Sequence, residues 1–263
     1  MNDIFEESLI YPLRVKYKTF FRDYFDSVFV AFMPFFKVDE VERSWLWRMT
    51  ASEEELKFPN DKEIYERGSA VLWDMVIKGA GLKDSKELCK ALETRYGGYS
   101  PVFRRDDLAD KLRHFEEQQD ISRPDEDSFG ILSKISIYKS LKLLCKNELL
   151  YADEYHNIVT RPIKLKDYTE YEFSEKIGNG KVIYPADKEI LFTIYWDQPF
   201  FLIATSKINL DRILAQNYFE GFICDEETDG DWAFGKEELK DLLKLKEAEI
   251  QKYRDQKNNS KTE

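Results

Sequence analysis

Carboxylates standing beside tryptophans are the residues of this sequence best suited to chemistry. Asp197 follows Trp196, and Asp231 precedes Trp232. A pair of carboxylates does acid and base work without a histidine, one holding a proton while the other stays ionised. An indole ring next to each offers a face on which a sugar or a base stacks, and an apolar wall that raises a carboxyl pKa. Trp196, Asp197, Asp231 and Trp232 are therefore the candidate ligand-binding residues. Chance is the competing account, because 51 acidic residues in a chain of 263 produce such neighbours without any function. The pattern assigns no catalytic residue.

The run Asp225-Glu226-Glu227-Thr228-Asp229-Gly230-Asp231 packs five carboxylates into seven residues. Hard cations bind clustered oxygen ligands, and Asp225, Glu227 and Asp229 occupy the first, third and fifth places of a calcium loop, with Gly230 at the sharp turn. The match then fails. The twelfth place is Lys236 where a bidentate glutamate is needed, Glu237 comes one residue late, and a strand-like segment precedes the loop. Asp225, Glu227 and Asp229 stay as candidate metal ligands, against the simpler reading of a solvated acidic turn.

Other chemistries lack their residues. His114 and His156 are the only histidines, and neither is accompanied by a GxSxG nucleophile elbow. Gly178-Asn179-Gly180-Lys181 lacks the spacing of a phosphate loop and reads as a turn. Cys89, Cys145 and Cys224 are far apart, form no CxxC, and sit in apolar surroundings, which predicts reduced, buried thiols in a cytoplasmic protein. Nothing in the pattern calls for a cofactor.

The elements that must position the two Trp–Asp pairs follow from periodicity. Residues 190–196 and 200–204 are apolar and aromatic runs separated by Asp197-Gln198-Pro199, which predicts an antiparallel hairpin with proline in its turn. Ile208, Leu210, Ile213 and Leu214 then share a helical face, with Asn217 as a stop. Residues 218–224 return to strand character, and Gly221 inside them marks a bulge or a close backbone approach. Upstream, helices are expected over 62–78, 84–96, 105–118 and 130–150, a strand over 27–33, and a hairpin joining 171–177 to 181–184 through Gly178-Asn179-Gly180. Trp45 and Trp47 lie two apart, as on one strand face or across a turn. A last charged helix covers 236–257. The fold class is α+β: a mainly helical N-terminal half with a C-terminal antiparallel sheet packed by helices. Residues 1–257 read as one domain with a break at 119–127 (QDISRPDED), and 258–263 as a disordered tail.

Aromatic residues at 15% favour a large buried core over disorder. A net charge of −11 opposes binding to phosphate backbones, since counterion release needs clustered lysine and arginine. The lysines of 139–146 and 240–246 alternate with leucine, as on the wet faces of amphipathic helices. No apolar run approaches the roughly 20 residues of a membrane span, and the first residues carry no secretory h-region. The expected partner is a protein or a small molecule, with neither nucleic acid nor membrane involved.

Over residues 190–232, the stretch WDQPFFLIATSK, then Phe219-Glu220-Gly221-Phe222 and Cys224-Asp225 through to Trp232, the sequence resembles a bacterial family known as a domain of unknown function. That resemblance implies a bacterial cytosolic protein and brings no activity or ligand with it. A looser, fold-level likeness is to immunity proteins of contact-dependent toxin systems, acidic α+β proteins that bind partners. The expected function is a non-catalytic binding or interaction protein, of immunity type in one form. Its rival is an enzyme or small-molecule sensor built on the carboxylates and aromatics around Asp197 and Asp231.

Overall fold

Six consecutive buried residues at Ser27–Phe32 and six more at Phe200–Thr205 are what the centre of a doubly covered sheet requires. The computed structural model describes residues 11–12, 15–38, 59–97, 99–126, 128–152 and 162–259. Its strands are β1 (Ser27–Phe32), β2 (Phe35–Val38), β3 (Gly68–Val71), β4 (Glu148–Ala152), β5 (Ile163–Lys164), β6 (Val182–Pro185), β7 (Ile190–Thr193), β8 (Phe200–Thr205) and β9 (Glu220–Ile223). Its helices are α1 (Tyr17–Phe21), α2 (Asp61–Arg67), α3 (Trp73–Gly79), α4 (Ser85–Tyr96), α5 (Asp106–Gln119), α6 (Gly130–Leu143), α7 (Glu170–Ile177), α8 (Lys207–Leu214) and α9 (Lys236–Asn259). Seven strands form one sheet in the order β5-β4-β6-β7-β8-β1-β9, each neighbouring pair antiparallel, and β2 pairs with β3 in a second small sheet.

Alternation along the strands sorts the core into two layers. Val28, Val30, Phe32, Phe200, Leu202 and Leu191 face one side, where they meet Phe21 of α1, Trp73 of α3, Leu88 and Leu92 of α4, and Leu112 of α5. Phe29, Ala31, Phe201, Ile203 and Phe192 face the other, against Ile137 and Leu141 of α6, Phe173 of α7 and Leu210 of α8. Helices α1, α3, α4 and α5 thus cover one face and α6, α7 and α8 the opposite one. Each large side chain so buried contributes about 2 kcal/mol, so both layers bear on stability.

The α+β class and the strand-rich C-terminal half are as the sequence indicates, with one addition: β1, from the N-terminal half, lies between β8 and β9. Helices α4 and α5 match their expected ranges, and Asp84 caps α4 by accepting from the Lys86 and Glu87 amides at 3.0 Å. Helix α9 runs two residues beyond its expected end. Four local readings are corrected. Residues 62–78 do not form one helix, because Gly68 leaves α2 for β3, which pairs with β2. The segment 130–150 stops as a helix at Leu143, and 148–152 joins the sheet as β4 beside β6. Residues 171–177 are helix α7, not a strand: Thr169 Oγ1 accepts from the Glu172 amide at 3.3 Å while Glu172 returns a bond to the Thr169 amide at 2.8 Å, a capping box. Cys145 is exposed at a positive φ of 57° after α6, whereas Cys89 and Cys224 are buried. Trp45, Trp47 and His156 lie outside the described residues, and His114 is exposed beside Gln118.

Strand β9 also caps a helix. The Glu220 carboxylate accepts the Trp73 and Asp74 amides at 2.6 and 3.0 Å, filling the N-terminus of α3, which its own sequence leaves without a capping side chain. Replacing Glu220 with alanine should therefore cost about 1–2 kcal/mol, read as a lowered urea midpoint at unchanged slope. An unchanged midpoint would mean that water serves those amides equally well.

Candidate functional site

Three pieces of chain meet on the face of the sheet covered by α4. The β7–β8 hairpin turns through Trp196 and Asp197, and Asp197 adopts a positive φ of 58°, a conformation that aspartate tolerates better than most residues. Helix α4 carries Cys89, Lys90 and Glu93, and Gly97 ends it at φ 84° before Tyr99. The acidic segment 225–235 follows β9, whose exit is held by the Cys224 amide bonded to the Val28 carbonyl at 2.8 Å.

Glu93 is the most perturbed carboxyl at this junction. It is half-buried, the Cys89 thiol donates to it at 3.4 Å, and the Tyr99 hydroxyl donates to it as well. Burial pushes its pKa up to about 7, the charges of Asp231 and Asp197 push the same way, and the two donors only partly offset this. Both sequence-predicted aspartates, from separate loops, thus act on one glutamate that sequence reading did not select. The sequence places Glu93 only on the buried flank of an amphipathic helix, beside Leu92 and four residues after Cys89, which does not set it apart from other helical glutamates.

A tyrosine cluster adjoins it. Tyr11 is buried, its ring stacks on Tyr195 at 5.2 Å, and its hydroxyl donates to Gln198 Oε1 in the hairpin turn. Since that proton goes to Gln198, the 3.0 Å contact between the Tyr11 and Tyr17 hydroxyls has Tyr17 as donor. Burial raises both phenols, and Tyr99 too, while Cys89 is held well above a free thiol and Cys224 is pushed up to about 12. None of these groups is an anionic nucleophile at neutral pH. Glu93 alone among them exchanges a proton there.

The two tryptophans have different situations. Trp196 is 39% exposed, and the ammonium of the buried Lys181 lies 4.2 Å from its ring centre. Trp232 is buried among Phe32, Phe200 and Phe222, with centroids 5.8, 5.7 and 4.9 Å away, and its indole nitrogen has no hydrogen-bond partner among the described residues. It also walls a cleft of about 460 Å³ with Phe222, Phe234, Asp229 and Asp231.

The acidic segment is closed on itself and latched by lysines. Asp225 Oδ1 accepts from the Glu227 amide at 2.9 Å and the Thr228 hydroxyl at 2.7 Å, which holds the Asp225 carboxyl below its ordinary value. Asp229 pairs with Lys16 at 2.6 Å, and Glu227 with Lys236 at 2.8 Å. Asp225, Glu227 and Asp229 thus each hold a bond within the protein. Among the described residues no group of three histidine, cysteine or acidic side chains is placed to hold a metal ion. No described helix is long and apolar enough to cross a membrane.

Comparison with known proteins adds kinship. A family model described as Protein of unknown function (DUF2711) matches residues 14–234. The chain is also similar to the Uncharacterized protein YwbB of Bacillus subtilis (strain 168), at 26% identity over 211 residues, which covers 79% of this chain and 90% of that protein. No solved structure matches.

Proposed function

The chain belongs to the DUF2711 family, and from its own residues we propose that it is a non-catalytic binding protein for a small polar molecule, held where Glu93, Asp197 and Asp231 act on one another. The observation that carries this is Glu93 itself: a half-buried carboxyl, already given two donors, that burial first and the negative charges of two other loops second still drive up to about 7. Such a surplus of acceptors suits a ligand rich in hydroxyl or amine hydrogens, and Trp196 offers it a partly exposed face. Three unpaired thiols support a reducing, cytoplasmic location. One folding unit across 119–127 is part of this reading, supported by the backbone bonds of Ser122 to Phe36 at 2.8 and 2.9 Å.

A thermal-shift panel of sugars, polyols, amines and nucleosides tests the reading on the wild type and on Asp197→Asn and Asp231→Asn. One donor-rich class should raise the melting temperature by several degrees at concentrations well above its dissociation constant, and both variants should lose the shift. A panel without any shift, or a shift that survives in both variants, rejects the site. The neutral-range Glu93 favours one second reading, in which it works as a general acid–base and the protein is an enzyme. In that case the ligand class that shifts the wild type should be turned over, and Glu93→Gln should still bind it without turnover.

A further inference from the structure

The segment 120–126 builds a second cleft, away from the residues of the first. Its backbone pairs with β2 at Phe36, and the Tyr96 hydroxyl donates to the Pro124 carbonyl at 2.9 Å. The cleft of about 480 Å³ that results is lined on its apolar side by Phe36, Ile64 and Ile121, and on its charged side by Arg95, Glu116 and Arg123. That volume is in the range of small-molecule sites.

Two charged groups there are incompletely matched. Glu116 is only 8% exposed; one of its oxygens meets Arg95 at 2.5 Å, while Oε1 is buried and has no hydrogen-bond partner among the described residues. An orphaned buried acceptor is costly, so a donor arriving there is rewarded. Arg123 is half-buried, and among the described residues its guanidinium takes part in no hydrogen bond or ion pair, although it acts electrostatically on Glu116 and Arg95. A guanidinium fork in that condition fits a carboxylate with two parallel bonds. The rim adds Asp61, Glu117, Asp120, Asp125 and Glu126, so a simple anion is repelled from the cleft mouth, while a simple cation leaves the Arg123 guanidinium unmatched. A molecule with both charges satisfies each group.

We infer that this cleft is a binding site for a zwitterion of the α-amino-acid class, its carboxylate on Arg123, its ammonium on Glu116 and the acidic rim, and its apolar side chain against Phe36, Ile64 and Ile121. Reaching Oε1 requires the Glu116 side chain to turn toward the cleft that it already lines.

The test is calorimetric titration of the full chain with L-leucine and L-phenylalanine, each beside its amine lacking the carboxylate and its acid lacking the amine. At least one amino acid should bind saturably, and its two truncated analogues at least tenfold more weakly. Arg123→Gln should weaken that binding at least tenfold while leaving the melting temperature unchanged, since Arg123 holds no bond within the described fold. Glu116→Gln should also weaken it, and Arg123→Gln decides the matter if the Glu116 variant fails to fold. The site is overturned if neither amino acid binds, if a truncated analogue binds as well as its parent, or if Arg123→Gln binds like the wild type. Because none of these residues belongs to the Glu93 site, failure here leaves the proposed function standing.

Discussion

Above pH 7 the Glu93→Gln protein should be more stable than the wild type, by up to about 3 kcal/mol, and the two should converge near pH 4.5. The sign follows from the direction of the shift. Burial and the charges of Asp231 and Asp197 raise the Glu93 carboxyl from 4.5 to about 7 in the folded protein. The folded chain therefore keeps a proton that the unfolded chain has released, and the stability tied to that proton is lost as pH climbs from 4.5 through 7. Glutamine keeps an acceptor oxygen for Tyr99 and has nothing to ionise, so the variant escapes this loss. Urea denaturation of both proteins between pH 4.5 and 8.5 reads the difference directly, since all other titrating groups are shared. Parallel curves across that range would show that the Glu93 carboxyl is not raised in the folded protein, and the proposed site would lose its central observation. The magnitude is an upper bound, because partial exposure of Glu93 admits solvent screening.

Gly221→Ala should destabilise the fold by about 3 kcal/mol or more, the largest effect expected from a single methyl group here. Gly221 lies opposite Ala31 in the β1–β9 ladder with φ at 155°, and an added Cβ would stand 1.9 Å from the Val30 carbonyl oxygen and 2.9 Å from the Phe29 ring. Backbone, not a flexible side-chain end, is what it meets. The strand would have to pull away from β1, and β9 carries both the Glu220 cap of α3 and the lead into the acidic segment. Gly81→Ala is the matched control: φ there is 64°, but nothing lies within 4 Å of the added carbon. Its cost should be only the left-handed penalty of about 1–2 kcal/mol. Equal urea midpoints for the two variants would mean that β9 is not clamped against β1 as described.

Gly221 is also a case where a residue type in a strand pattern carried its own structural meaning. The same holds for the hairpin around Asp197-Gln198-Pro199, where two β-rich runs flank a proline-closed turn, for α4 with its apolar spacing and capping Asp84, and for α5, whose apolar spacing and first-turn aspartates act within one segment. Local chemistry decides such features, so they are legible one segment at a time.

The misread segments share the opposite property. Residues 68–71 leave a helical pattern because β2 supplies a ladder, and 148–150 do so because β6 does. Residues 171–177 have strand-like apolar content, yet a capping box turns them into a helix that covers the sheet. At the candidate site, sequence alone marked Asp197 and Asp231 by their tryptophan neighbours. It did not reveal Glu93, because what distinguishes that glutamate is desolvation and the charge of loops more than a hundred residues away. Nor did it show that Trp232 is buried among phenylalanines while Trp196 is partly exposed. By itself the sequence determined the α+β class, the acidic and aromatic character, the central hairpin and the capped helices, since period and capping are local. Only the tertiary structure decided which face each helix covers, where β1 inserts and which carboxyl holds a proton, because burial and electrostatic coupling exist only once distant segments pack together.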